Sequence, residues 1–461
     1  MTAIVEPRPV PPLTPPRSVP PLLIAKHKLD TDLKVLAVES GGAPLVQLRL
    51  WVPFAGPPAG AGEEGLDAVD ASGSSEADTA RATLLARTLL SATQRRSNAE
   101  LATAFQALGA TLRVGADPDG LLFTGKALAS SLRDLLELLA EVLTSATYPE
   151  DEVAGERARV VEELTMARSA PSVLASEALL RRMFRGHPYA CKVPKPEQLA
   201  ETRPDDLRRQ HAEGVLPDGS TLVLVGDVPA HQALAQAAEA LSGWNAVGST
   251  PVAPAVLAPE PGPVLLVNRP GSVQSSIRMG GLALPRSDPD YAALKLAKTI
   301  FGGYFASRLV ENIREDKGYA YSPHCVIRHA VAGSTLQLGA DVASQVTAPS
   351  LLEIAYELGR MATLPVGANE LENACQYAIG TLALETTTQG DLADKIVALE
   401  ASGLGPDWLD EHSRRLATVT VEQVMEQAAR FLAPMRLVTV VLGDANVVEP
   451  SMRTLTEVTR G

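Results

Sequence analysis

The sequence predicts an α+β protein made of two tandem homologous halves, each an antiparallel sheet with helices packed on it, joined by a linker. Three observations carry this expectation. At 461 residues the chain is longer than one core usually holds. The order of strand and helix signals seen before residue 246 recurs after residue 263, and the two runs close alike, on VLVGDV at 223–228 and VVLGDA at 440–445. Between them, Ala246 to Pro263 is rich in Pro and Ala and almost free of charge, the composition of a linker.

The elements follow in order. Leu22 to Ser40 and Pro44 to Phe54 alternate with period two around a turn at Asp30–Asp32, which reads as strands. Residues 56–74 are Gly, Ala and acids, hence a loop. Ser75 to Asp78 has the form of a capping box that opens a helix over 79–91, and a second box, Ser97 to Glu100, opens one ending at Gly109. Strands are expected at 111–114 and 121–128, and helices at 132–143 and from Pro149 through GERARVVEEL. A loop, HPYACKVP, precedes a helix at 204–213 and a strand at 220–228, and the first half closes at Trp244. After the linker come strands at 264–267 and 275–284 and a helix at 290–301. In the next stretch, 301–321, the spacing of Phe305, Leu309, Val310 and Ile313 predicts the buried stripe of a helix, with Arg308, Glu311, Arg314 and Glu315 off that face. Gly318 suits the left-handed cap, and Tyr321 opens an extended run. Strands around Val326 and Leu336, helices at 349–362 and 370–386, and a strand at 436–442 complete the second half. The expected divisions are an arm (1–21), an N-terminal domain (22–245), the linker (246–263), a C-terminal domain (264–446) and a tail (447–461).

Composition narrows the function. Hydrophobic residues at 46% and charged residues at 21% are those of a soluble globular protein, and with 4% aromatics the cores must be built from Leu, Val, Ile and Ala. A formal charge of −13 argues against nucleic acid and against a basic membrane-binding face. No apolar run is long enough to span a bilayer. The three cysteines, Cys191, Cys325 and Cys375, are scattered, which fits a reducing, cytoplasmic location. The first 21 residues lack the apolar core of a secretion signal, and their prolines forbid an amphipathic transit helix. They read as an extended arm, either a tail or a polyproline segment that wraps a partner.

The helix end and strand start in 301–321 bring two donors, the Arg314 guanidinium and the Tyr321 phenol, to one place. The block FGGYFASRLVENIREDKGYAY, with its double glycine, S-R-L, I-R-E and K-G-x-A-Y-S, resembles the C-terminal half of the M16 metallopeptidases (pitrilysin, insulinase, mitochondrial processing peptidase). The opening hairpin resembles that family's as well. The resemblance implies two LuxS/MPP-like metallohydrolase halves arranged as a clamshell. It also implies that Arg314 and Tyr321, seven positions apart, bind the substrate backbone and the oxyanion of the tetrahedral intermediate.

The same resemblance implies a zinc motif, HxxEH, on the first helix, with a glutamate ligand further on. By position the motif falls on Thr83-Leu-Leu-Ala86-Arg87, where both His and the Glu are missing. The third ligand position remains as Glu163, with Glu156 seven before it, but one carboxylate cannot hold zinc. Arg87 either pairs with Glu163 or Glu156, or both glutamates are plain solvated helix residues. No two of the seven histidines stand four apart, and His324, Cys325 and His329 lie on an expected strand whose alternate residues face opposite sides. His187 reads as packing or surface. No GxSxG elbow is present, and Gly120 to Ala127 resembles a P-loop only superficially, being strand-like and lacking the magnesium-binding Ser/Thr.

A chain that keeps Arg314 and Tyr321 without the metal is expected to be inactive alone. The resemblance implies a zinc-less M16B-type subunit that pairs with an HxxEH-bearing homologue, which brings the zinc, to cleave unfolded peptides. No metal or other cofactor is expected in this chain. The alternatives are a non-enzymatic structural or peptide-binding scaffold of the same fold, and a zinc protease whose ligands lie elsewhere.

Overall fold

The computed structural model describes residues 22–54 and 72–461. The first run of elements is β1 (Leu23–Lys28), β2 (Lys34–Glu39), β3 (Leu45–Pro53), α1 (Ser72–Thr88), α2 (Asn98–Ala107), β4 (Thr111–Asp117) and β5 (Gly120–Leu128). It continues with α3 (Leu132–Ser145), α4 (Glu150–Ser169), α5 (Pro171–Met183), α6 (Pro196–Glu201), α7 (Pro204–Gly214), β6 (Thr221–Gly226) and α8 (Ala230–Leu241). The second run opens with β7 (Val264–Asn268), β8 (Gln274–Ala283), α9 (Tyr291–Gly302) and α10 (Arg308–Val310), which continues as a π-helical turn over Glu311–Asp316. Then come β9 (His324–Ala330), β10 (Gly333–Ala343), α11 (Thr347–Thr363), α12 (Ala368–Leu384) and α13 (Gln389–Glu400). It closes with α14 (Trp408–Ala417), α15 (Val421–Phe431), β11 (Val438–Gly443), α16 (Ala445–Met452) and β12 (Val458–Arg460).

The strands form two six-stranded sheets, ordered β1-β2-β6-β3-β5-β4 and β12-β7-β11-β8-β10-β9. Neighbours are antiparallel except for β2 with β6, and β7 with β11 and with β12, which run parallel. Each sheet is therefore mixed rather than wholly antiparallel, because these strands return through helices instead of hairpins.

Strands β6 (TLVLVG) and β11 (VTVVLG) are buried along their whole length. Continuous apolar strands of this kind need cover on both faces. On one face of the first sheet lie the side chains of α1, α3 and α8, among them Leu84, Leu135, Leu139 and Leu241. The other face, with Leu36, Val38, Trp51, Val223 and Val225, is covered by Leu392, Ile396 and Leu399 of α13, a helix of the second half. The exchange is reciprocal, since α5 of the first half sets Leu179 and Met183 on Val438 and Val440 of the second sheet. Gly280 on β8 is required by this contact, as a Cβ there would lie 2.4 Å from the Met183 sulfur.

The halves repeat at one buried polar position too. Arg49 on β3 donates Nη1 to the carbonyls of Leu48 (2.9 Å) and Gly125 (3.3 Å), and Arg278 on β8 does so to those of Ile277 (2.8 Å) and Ala340 (3.4 Å). Strands β3 and β8 hold the same place in their sheets. Arg49 pairs with Asp394 across the seam on α13, and Arg278 with Asp341 on its own sheet at 3.0 Å.

Several expectations are corrected. Helix α1 begins at Ser72, so the Ser75–Asp78 box lies inside it. Its acids bond to side chains instead of a helix start, Glu76 to Lys195 (2.9 Å) and Arg181 (3.2 Å) and Asp78 to Arg81. Residues 447–461 are no tail, since α16 continues to Met452 and β12 adds an edge strand to β7. Residues 246–263 are extended coil, held where His187 Nε2 meets the Pro254 carbonyl at 3.1 Å. The Ser97–Glu100 box caps α2, and Gly120–Leu128 is a strand. The arm at 1–21 and most of the 56–74 loop lie outside the described residues. Among the described residues no helix is long and apolar enough to cross a membrane.

Candidate functional site

The 301–321 stretch is not the single helix its periodicity predicts. Gly302 ends α9 where β9 crosses it, and a Cβ there would meet the Cys325 Cβ at 3.1 Å. At Gly303 a Cβ would lie 2.6 Å from Thr299 Cα. Only glycine tolerates so close an approach. The chain restarts behind Ser307, and Leu309 and Ile313, both fully buried, anchor the new turn. Arg308 grips α12 through a two-pronged bond to Glu370, each N–O distance being 2.7 Å. Burial pushes the Glu370 carboxyl up, but the hydrogen bonds and charge of Arg308, together with the Gly367 N–H, outweigh it and leave the group below its ordinary range. Asn312 Nδ2 donates to Glu353 (3.0 Å) and Glu357 (2.9 Å) on α11. Arg308 and Asn312 are therefore tied to neighbouring helices, where the sequence expectation puts Arg308 merely off the buried face.

The turn widens to π pitch, with Lys317 N–H donating to the Asn312 carbonyl at 3.0 Å. Single π turns of this kind are frequent at functional sites. Gly318 closes it with φ of +63°, the left-handed conformation expected there. An isolated bridge from Ala320 to Val342 then lays Tyr321 beside the second sheet.

Arg314 lies between two rings. Its guanidinium carbon is 4.8 Å from the Phe305 ring centre and 5.1 Å from that of Tyr321. Each such contact is worth about 0.5–1 kcal/mol at an exposed site. Nε of Arg314 also reaches Glu315 at 3.1 Å. Tyr321 is 81% exposed and Phe305 65%. Among the described residues the Tyr321 hydroxyl has no hydrogen-bond partner. A held guanidinium beside a free phenol offers donors to a carbonyl or an oxyanion brought from outside.

The first-half positions form a separate group. Thr83 donates its hydroxyl to the Thr79 carbonyl at 2.8 Å, and Ala86 is buried in the core. Arg87 pairs with Glu163 across α1 and α4, while Glu156 is engaged by Arg159 at 3.1 Å. The zinc that the family resemblance implies needs three protein donors. Here a methyl, an engaged hydroxyl, a guanidinium and the carboxylate it neutralises stand in their place, so these residues do not fit the metal. Among the described residues no group of three His, Cys, Asp or Glu comes together to hold a metal ion. No bond or ring contact joins the Arg87 group to the Arg314 group among the described residues. On β9, His324 is exposed while His329 bonds to Tyr291 (3.1 Å) and Ser334 (2.8 Å).

Phe305 is the member of the site that the apolar spacing misplaces, on a buried stripe. The signal for its true position is the glycine pair followed by Ser307, which marks a helix stop and a new start. Arg308 and Glu370, 62 residues apart, leave no mark in local pattern.

Comparison with known proteins agrees with this architecture. Residues 71–197 match the model of insulinase (peptidase family M16), and residues 203–377 that of the peptidase M16 inactive domain, together well over half of the chain. An uncharacterized zinc protease of Mycobacterium tuberculosis is 27% identical over 373 residues, covering 77% of this chain and 82% of that protein. One of Bacillus subtilis is 24% identical over 337 residues, covering 72% and 80%. The crystal structure of a peptidase M16 inactive domain from Pseudomonas fluorescens superposes with a TM-score of 0.81 at 23% identity, covering 92% of this chain and 98% of that one. A protease from Helicobacter pylori gives 0.77 at 15% identity, covering 92% and 99%. The chain, with both halves of the fold, belongs to peptidase family M16.

Proposed function

We propose that this chain is the zinc-less subunit of an M16 peptidase pair, which presents Arg314 and Tyr321 to an unfolded peptide while a homologue bearing HxxEH, with zinc, performs the cleavage. The observation that carries this reading is the clamp itself: a guanidinium fixed between two rings, one of them an exposed phenol whose hydroxyl has no hydrogen-bond partner among the described residues. A side chain kept for packing would be covered or bonded; this one is held and left open. Arg314 anchors a substrate carbonyl and so keeps the peptide in register. Tyr321 donates to the oxyanion, a contribution of about 3–4 kcal/mol where water is excluded. The donor set around Arg87 supports the division of labour, because it offers a metal one carboxylate that is already paired, where three donors are needed. Relatives named as zinc proteases support the peptidase setting of this reading. Cys191, Cys325 and Cys375 are free thiols, which suits the cytoplasm.

Reconstitution tests the proposal. Titrating the chain into a zinc-bearing HxxEH homologue should give a complex on size exclusion and raise hydrolysis of a quenched, unstructured peptide, while the chain alone has no activity. A complex that forms but cuts no faster than the homologue by itself would favour a scaffold. Stoichiometric zinc and hydrolysis by the chain alone would overturn the reading altogether.

A further inference from the structure

On the helical side of the second sheet, α9, α12, α13 and α14 contribute to a cavity of about 270 Å³. Four cations line it, Arg286, Lys295, Lys298 and Lys395, against a single carboxylate, Glu385. That carboxylate is already engaged by Lys395 at 2.5 Å. Lys298 is only 7% exposed, and its Nζ is so close over Gly303 that a Cβ there would lie 2.8 Å from it. Neither the Lys295 nor the Lys298 ammonium has a hydrogen bond or ion pair among the described residues.

Burying an unpaired ammonium costs several kcal/mol, and a methionine or leucine at the same place would avoid it. The positive excess is felt throughout the cavity. Burial, followed by the repulsion of Lys298, pushes Lys295 down to about 8. Burial and the surrounding cations hold His329 and His412 at about 3. In a chain whose net charge is −13, four cations gathered around one cavity and sharing the single carboxylate of Glu385 require an account.

We propose that this cavity binds a small, multiply charged oxyanion of the phosphate class, held by Lys295, Lys298 and Arg286. The two lysines stand three apart on α9 and offer point charges to one spot, the arrangement that suits phosphate oxygens. The volume admits inorganic phosphate or pyrophosphate and excludes a polymer.

Calorimetric titration of the full chain with sodium pyrophosphate, at ionic strength held constant with sodium chloride, tests the site. One saturable site per chain is expected, weakened at least tenfold in Lys298→Met and in Lys295→Met and unchanged in the surface variant Arg430→Gln. Removing an uncompensated buried charge should leave both lysine variants folded, with a melting temperature no lower than that of the parent. Absence of saturable binding at millimolar pyrophosphate, or binding as tight in Lys298→Met as in the parent, would overturn the proposal. Citrate binding more tightly than pyrophosphate would overturn the assignment to phosphates.

Discussion

The two halves place a buried arginine at the same point of the same strand, Arg49 in one and Arg278 in the other, yet they treat the helix that follows this strand in opposite ways. In the first half α1 runs unbroken for 17 residues and presents Arg87 already neutralised by Glu163. In the second, α9 stops at Gly302, and the restarted turn leaves Phe305, Arg314 and Tyr321 facing outward. The sheet and its core decide where a helix lies. Whether the helix is continuous decides which of its polar groups stay free for chemistry.

Breaking the restarted turn should have the largest effect on stability. Arg308→Ala leaves Glu370 part-buried and unpaired, a loss of about 3 kcal/mol that a urea midpoint would show. If it costs no more than Arg87→Ala, the contrast between a built site and a surface pair fails.

Acid should strain the second half next. Burial, followed by Lys295 and Arg415, holds His412 at about 3 against an ordinary 6.5. Between those values the unfolded chain carries a proton that the folded chain refuses, so stability falls as pH drops through this window. The slope from this one ring reaches about 1.4 kcal/mol per pH unit. Melting curves between pH 7 and pH 5 should show a shallower decline for His412→Gln than for the parent.

The smallest effect belongs to the first-half pair. Arg87 and Glu163 are both well exposed, at 41% and 58%, and exposed pairs of this kind contribute little. Arg87→Ala should shift stability by less than about 0.5 kcal/mol, a change that salt further reduces.

Much of this was legible in the order of residues. Alternation showed most of the strands, and the matching ends VLVGDV and VVLGDA showed the repeat. The apolar–Arg–apolar runs LRL at 48–50 and IRM at 277–279 mark the repeated arginine, a signal that can be seen once its meaning is known. The exchange of α5 and α13 was not legible. An amphipathic pattern says that a helix has a face to bury, but not which sheet will bury it. Strand β12 escaped because three residues are too short to establish a period, and its pairing with β7 joins positions nearly two hundred residues apart. Phe305 was misplaced because spacing alone does not register the helix break at Gly302 and Gly303 that turns it outward.

The central claim is that Tyr321 reaches a reaction centre whose metal belongs to another chain. The most direct measurement is the kcat of the reconstituted pair with Tyr321→Phe, which removes one hydroxyl and keeps the ring against Arg314. The account predicts a fall of about a hundredfold or more with the complex intact, whereas an unchanged kcat would contradict it.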